Sequence, residues 1–209
     1  MDKNTFKRKV SRLFLPINRL YWKLKWGPSV KKLIIGCGSN NDAGWIRTDI
    51  FLVPGGVVLD VTKEEDWERY FSTGSLTHIL SEHMFEHFND GDMDKALGLC
   101  WKYLVPGGLL RVAVPDANRT DQAYIEEVAP PADGHKQYFT AQSLESILRK
   151  AGFTVKLLEY YDSEGVFHKE PWDASDGLIR RSYDHDAQVS FRLNDHYYTS
   201  VIVDAFKPG

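Results

Sequence analysis

Cysteine is scarce in this chain: only Cys37 and Cys100 occur in 209 residues. Two cysteines cannot build a disulfide framework, and neither stands in a pair with metal-ligand spacing. A reduced, cytoplasmic protein without disulfides is the expectation. No apolar run approaches the ~18–20 residues that a bilayer-spanning helix needs, and the first residues lack the apolar core of a secretory signal. Internal repeats and low-complexity tracts are also missing. No Gly-Lys-Ser/Thr follows any glycine turn, which excludes a P-loop. Acids are nearly absent from one end. Residues 1–32 hold ten Lys/Arg and only Asp2, a net +9, whereas the remainder carries −12 within an overall charge of −3. An acidic body argues against DNA and against broad nucleic-acid binding by the domain as a whole.

The basic end has a pattern of its own. Phe6, Val10, Leu13, Phe14, Ile17, Leu20, Tyr21 and Leu24 recur at helical intervals, and Pro16 is expected to kink or split that helix. Residues 1–30 therefore read as a basic helical arm on a domain spanning 31–209. Two readings of the arm stay open. It lies on an anionic membrane surface through residues 3–25, at the inner face, or it packs on the domain, covers the ligand site and leaves its cations in water.

From Lys31 onward strand and helix signals alternate. Strands are expected at 32–36, 45–49, 56–60, 76–80, 108–114, 153–160 and 197–206, and helices near 64–71, 91–104, 118–127 and 141–151. This is an α/β fold with a mostly parallel seven-stranded sheet and helices on both faces. Residues 161–196 break the alternation as a polar, aromatic insertion of the kind that shapes a binding mouth.

The chemistry begins where the strand Leu33-Ile34-Ile35 runs into Gly36-Cys37-Gly38. Glycines there let the chain bend sharply and let a ligand approach main-chain N–H groups. Asp49 ends the second strand, where a carboxylate can accept both ribose hydroxyls of a nucleoside. Asp60 ends the third, and Ser81 and Glu82 follow the fourth. A dinucleotide site fits poorly, because Asn41 stands where a third glycine belongs and Asp49 arrives too early.

The segments LIIGCGSN, GWIRTDI, HILSEHMFEHF, LVPGGLLRVAVPD and GHKQYFTAQSLESILRKAGF together resemble class I S-adenosylmethionine-dependent methyltransferases, in their compact type-11-like branch. The resemblance covers about residues 31–160. It implies a Rossmann-like methyltransferase fold with S-adenosylmethionine as cofactor. Gly36, Cys37 and Gly38 would pass under the methionine part, and Asp49 with Ile50 would hold the ribose. Asp60 and Val61 would flank the adenine, and Ser81 and Glu82 would close the methionine side. The stretch between Gly38 and Trp45 is shorter than the family's first helix.

His83 would then stand beside the sulfonium methyl, either as a general base toward an attacking hydroxyl or as a local pocket-shaping residue. His83-Met84-Phe85-Glu86-His87 spells H-x-x-E-H, an inverted zinc-protease motif on paper. A third ligand and a continuous helix are lacking, so no metal is expected, and Glu86 and His87 read as structural. Asp116 and His135 are acceptor-side candidates. In the insertion, His168, Arg180 and Arg181 lie among aromatics and carboxylates, a mixture suited to a hydroxyl-rich acceptor such as a sugar, with a phosphate held by an arginine. The expected function is O-methylation of a small polar or glycan-linked acceptor, as in polysaccharide biosynthesis. The alternatives are a methyltransferase of RNA or protein, or a non-catalytic cofactor-binding partner module.

Overall fold

The computed structural model describes residues 3–25, 31–186, 192–193, 196–197 and 199–209. Part of the arm (1, 2 and 26–30) and part of the insertion (187–191, 194 and 195) thus lie outside the described residues.

The apolar runs Lys32–Ile35 (β1) and Leu76–Glu82 (β4) form the centre of an eight-stranded sheet. Ile46–Asp49 (β2) and Val57–Val58 (β3) extend it on one side, and Leu104–Pro115 (β5) on the other, all parallel. Thr154–Tyr161 (β6), Phe167–Lys169 (β7) and Ser200–Phe206 (β10) complete the order β3-β2-β1-β4-β5-β10-β6-β7. β10 runs antiparallel between β5 and β6. The extra strand over the seven expected is β7, a short antiparallel edge contributed by the insertion. A separate two-stranded pair, Arg192–Leu193 (β8) and His196–Tyr197 (β9), lies at the end of the insertion, β9 reaching one residue beyond it.

One face of the sheet holds the larger core. Asp90–Tyr103 (α4) places Met93, Ala96, Leu97, Cys100 and Tyr103 there at three- and four-residue spacing, and Asn89 caps it by accepting the Asp92 N–H. Ala141–Lys150 (α6) starts from a Thr140/Ser143 capping box and adds Leu144 and Leu148. Glu64–Glu68 (α3), shorter than the helix expected at 64–71, brings in Trp67. Gln122–Val128 (α5) is likewise shorter than its expected span. The opposite face is covered differently. No helix forms between Gly38 and Trp45; instead Trp45, Ile179 and Trp172 from irregular segments pack on Ile34, Leu80, Ala113, Leu158 and Ile202.

The arm forms Lys3–Leu13 (α1) and Leu15–Lys25 (α2), with Pro16 in the first turn of the second helix, where its missing N–H costs nothing. It packs on the β3 side of the sheet. The Asn18 side-chain oxygen accepts the Val58 N–H at 3.0 Å, Ser11 Oγ accepts the Leu52 N–H at 2.9 Å, and Trp22 packs on Tyr70 and Phe71. The cations are not all in water, contrary to the packed-arm expectation. Arg12 makes two hydrogen bonds to the fully buried Asp66, at 3.0 and 3.3 Å, and Arg8 pairs with Asp60. Several apolar side chains of the arm face outward instead, with Leu13 and Leu24 77% and 80% exposed.

Candidate functional site

The carboxyl ends of β1, β2 and β4 open into a cleft with two lobes of about 670 Å³ each. Gly36, His83, His87 and Asp133 line both lobes and mark where they meet.

The first lobe is built on the glycine turn. Gly36 and Gly38 adopt φ of +61° and +48°, the left-handed region where a Cβ is costly. Gly38 donates its N–H to Asp49 Oδ2 at 3.1 Å, and Phe51 N–H donates to Asp49 Oδ1 at 3.0 Å. The carboxylate is thereby fixed beside Ile50, Val61 and Asp60, which share this lobe. Asp60 Oδ1 accepts from Thr62 N and Oγ1, while Oδ2 meets Arg8 at the lobe's rim. Arg8 has no motif of its own. Its only signal is the i, i+4 spacing with Arg12 on a basic helix.

Cys37, Gly38, Glu82, His83, His135, Arg180 and Arg181 line the second lobe, the last three being the acceptor-side candidates that the structure brings together there. Glu82 is buried and organises it: Oε2 accepts from the Asn40 amide at 3.0 Å and Oε1 from the Arg181 N–H at 2.7 Å. Arg180 reaches Asp42 through a two-pronged contact at 2.7 and 3.4 Å. Burial, with Asp49 adding to it, pushes the Cys37 thiol up to about 11, so it stays protonated at neutral pH and is no nucleophile.

His83 sits at the junction with φ of +52°, rare for a residue with a Cβ. Its N–H donates to Ala113 O at 2.9 Å, and Nε2 lies 2.9 Å from Ser200 Oγ, which donates onward to Arg181 O. A carbonyl only accepts, so that chain places the proton on Nε2. Nδ1 lies 3.1 Å from Glu86 Oε1. Glu86 and His87 belong to a short turn, Phe85–His87, rather than to a continuous helix.

Three expected site residues are placed elsewhere. Ser81 is fully buried within β4 and lines neither lobe. His168 lies on edge strand β7, stacked on Tyr160 and bonded to Asp162 at 2.6 Å, also outside the cleft. Asp116 is fully buried, and its two oxygens accept the N–H groups of Asn118 and Tyr161 at 2.9 and 2.7 Å, tying the end of β5 to the end of β6. An acid at a strand end serves structure there, not a ligand.

Burial pushes the Asp116 carboxyl from 3.8 up to about 6, against the two N–H donors that favour its charge. The folded chain therefore holds this proton through a range in which the unfolded chain has lost it, so stability falls as pH rises from about 4 to about 6. The full effect is roughly 3 kcal/mol. Urea unfolding of wild type and Asp116→Asn at pH 4 and pH 7 checks it. Wild type gains relative to the variant at pH 4, whatever constant offset the substitution adds.

A glycine turn, acids after successive parallel strands and an antiparallel strand between β5 and β6 define a Rossmann-like methyltransferase fold. Residues 16–158 match the model of a methyltransferase domain family, and the chain belongs to that family. It is an enzyme, and its cofactor is S-adenosylmethionine. Two solved structures illustrate the shared fold. A SAM-dependent methyltransferase from Archaeoglobus fulgidus is 16% identical over 96% of this chain and 94% of its own, with a TM-score of 0.53. Another from Thermotoga maritima is 16% identical over 99% and 95%, with a TM-score of 0.50. No curated protein sequence matches the chain.

Proposed function

We propose that the chain transfers the methyl group of S-adenosylmethionine to a hydroxyl of a small polar or glycan-linked acceptor, as in polysaccharide assembly. The observation that carries this is the lining of the second lobe, where Glu82, His83, His135, Arg180, Arg181 and Asp186 surround the space next to the glycine turn. Such a wall offers hydrogen bonds and charge to a hydroxyl-rich ligand.

The first lobe fits the cofactor. Its volume suits a nucleoside-sized ligand, and Asp49 is fixed by two N–H groups yet keeps lone pairs for ribose hydroxyls. Ile50, Asp60 and Val61 would hold the nucleoside there, while the methionine part would reach past Gly36 into the second lobe, against Cys37, Gly38 and Glu82. S-adenosylmethionine brings an already activated methyl group, so alignment supplies much of the acceleration. His83 Nδ1 takes the acceptor's hydroxyl proton, and the adjacent Glu86 carboxylate stabilises the imidazolium that results. Arg180 and Arg181 orient the acceptor.

The outward apolar residues of the arm, interspersed with Lys7, Lys9 and Arg19, support contact with an anionic membrane surface at which a lipid-linked acceptor is presented. One assay tests both readings: release of S-adenosylhomocysteine over a panel of sugars, sugar phosphates, RNA and peptides, with and without anionic vesicles. Turnover is expected with sugar hydroxyls, and His83→Asn, which tolerates a left-handed backbone, should lower kcat by about 100-fold while keeping cofactor affinity. Vesicles carrying the acceptor should raise wild-type turnover but not that of Leu13→Glu/Leu24→Glu. Methylation of RNA or peptide alone would overturn the acceptor assignment.

A further inference from the structure

The turn after β4 and the loop before α6 bring together three side chains that the sequence keeps far apart. Glu86, His87 and His135 each offer a donor atom, and these atoms lie within 4.8 Å of one another. The convergence is built into the backbone: Glu86 O accepts the N–H groups of Lys136 at 2.7 Å and Gln137 at 3.1 Å, which pins His135 beside the turn.

Glu86 is the unusual member. It is 1% exposed, and neither carboxylate oxygen has a hydrogen-bond donor among the described residues. The His83 Nδ1 contact is of ion-pair length without hydrogen-bond geometry. A buried carboxylate without donors is strongly disfavoured unless a cation supplies what hydrogen bonds do not.

The histidines are oriented to help supply one. His135 Nδ1 lies 2.6 Å from Val128 O, so it bears the proton and Nε2 keeps its lone pair. His87 Nδ1 faces Gly134 O at 3.5 Å, a looser version of the same arrangement. The rings meet edge to face, 4.9 Å apart. A carbonyl behind one imidazole nitrogen, which leaves the lone pair of the other for an ion, is the usual support of a metal-ligating histidine.

We propose that Glu86, His87 and His135 bind one divalent first-row transition-metal ion in the wall of the second lobe. Two imidazoles and one carboxylate select zinc, manganese, iron or cobalt over magnesium and calcium, which prefer all-oxygen sets. Three protein ligands leave coordination positions for a further oxygen, and all three residues line the lobe. This proposal departs from the expectation of no metal. The H-x-x-E-H reading took His83 as a ligand on a helix, whereas the missing third ligand is His135. In this place a Lewis acid lowers the pKa of an acceptor hydroxyl. The acceptor oxygen gives its proton to His83 and forms the bond to the methyl carbon as the carbon–sulfur bond breaks, its electron pair staying on sulfur. That catalytic role rests on the hydroxyl-acceptor reading above, but metal binding does not.

The test uses the full chain without affinity histidines, stripped with chelator and titrated with Co²⁺ as a visible-absorption probe, then with Zn²⁺ in competition. One equivalent should bind, with ligand-field bands that Zn²⁺ bleaches. His87→Ala, His135→Ala and Glu86→Gln should each weaken binding by about tenfold or more, and calorimetry with S-adenosylmethionine shows which variants keep their fold. No Co²⁺ or Zn²⁺ uptake by wild type, or undiminished uptake by a variant that still binds cofactor, overturns the site. With a sugar acceptor, turnover abolished by chelation and restored by metal supports the catalytic role, whereas turnover indifferent to chelation overturns that role. Metal uptake without sugar turnover instead counts against the acceptor reading.

Discussion

Arg111→Met will cost about 3–5 kcal/mol of unfolding free energy, the largest loss expected from any single polar substitution in the sheet. Arg111 stands in the middle of β5 and is 1% exposed. Its partner across the antiparallel pair is Asp204 on β10, directly opposite in register, with Nε and Nη2 donating to the two carboxylate oxygens at 2.7 and 2.9 Å. Nη1 donates to Asp173 O and Gly177 O at 2.7 and 2.8 Å, and the guanidinium lies 4.9 Å from the Trp172 ring centre. Methionine fills similar space but leaves Asp204 charged, buried and unpaired, along with two carbonyls that have lost a donor. Urea denaturation measures the loss. Arg111→Met/Asp204→Leu should recover a good part of it, because removing both charges ends the desolvation penalty. A loss below about 1 kcal/mol would mean that the lone Asp204 regains solvent or another partner, and that the pair is worth no more than a surface one.

Gly36→Ala is expected to weaken S-adenosylmethionine binding by about 30-fold or more, which corresponds to about 2 kcal/mol. Two effects combine. The backbone is at φ +61°, where a Cβ costs about 1–2 kcal/mol. An added methyl would also stand 2.8 Å from Met84 Cγ and Sδ. Met84 packs against the core on one side and lines the first lobe on the other, so its side chain has only the space of that lobe, where the cofactor is proposed to bind, to move into. Calorimetry on the single variant and on Gly36→Ala/Met84→Ala separates the two contributions. The second substitution should restore binding while leaving the lowered melting temperature. If binding is unchanged in the single variant, the glycine turn does not hold the cofactor.

The parts of this molecule that were legible from sequence are those whose signal is local. Asp49 and Asp60 follow apolar strands within a few residues, and Gly36 and Gly38 break one. The fold gathers them along one two-lobed cleft, Gly36, Asp49 and Asp60 in the first lobe and Gly38 in the second, because parallel strands share their carboxyl ends. Asp116 carried the same local signal and misled, because its partner is the Tyr161 N–H, on a strand that passes nearby only once the sheet is built. Arg8 on Asp60 and His135 beside Glu86 were illegible for the same reason: each contact joins segments whose relative position depends on tertiary packing. The lone charge in the apolar run Leu109–Val114 could have pointed to Arg111. Its partner and the carbonyls behind it could not be read without the structure. The short stretch after Gly38 implies a truncated first helix, but neither its complete absence nor its replacement by Trp45, Trp172 and Ile179 is legible there.

The Asn18 contact to Val58 also bears on how the sheet avoids other chains. The Val58 N–H is a donor that a further strand would take, and a short side chain from α2 already occupies it. At the far end β7 is three residues long and carries Lys169, itself held by Asp184. Short, charged or side-chain-capped margins are what prevent sheets from zipping edge to edge into aggregates. The arm thus closes one margin of its own sheet, and shortening the chain at its amino end would leave the Val58 N–H open to a further strand.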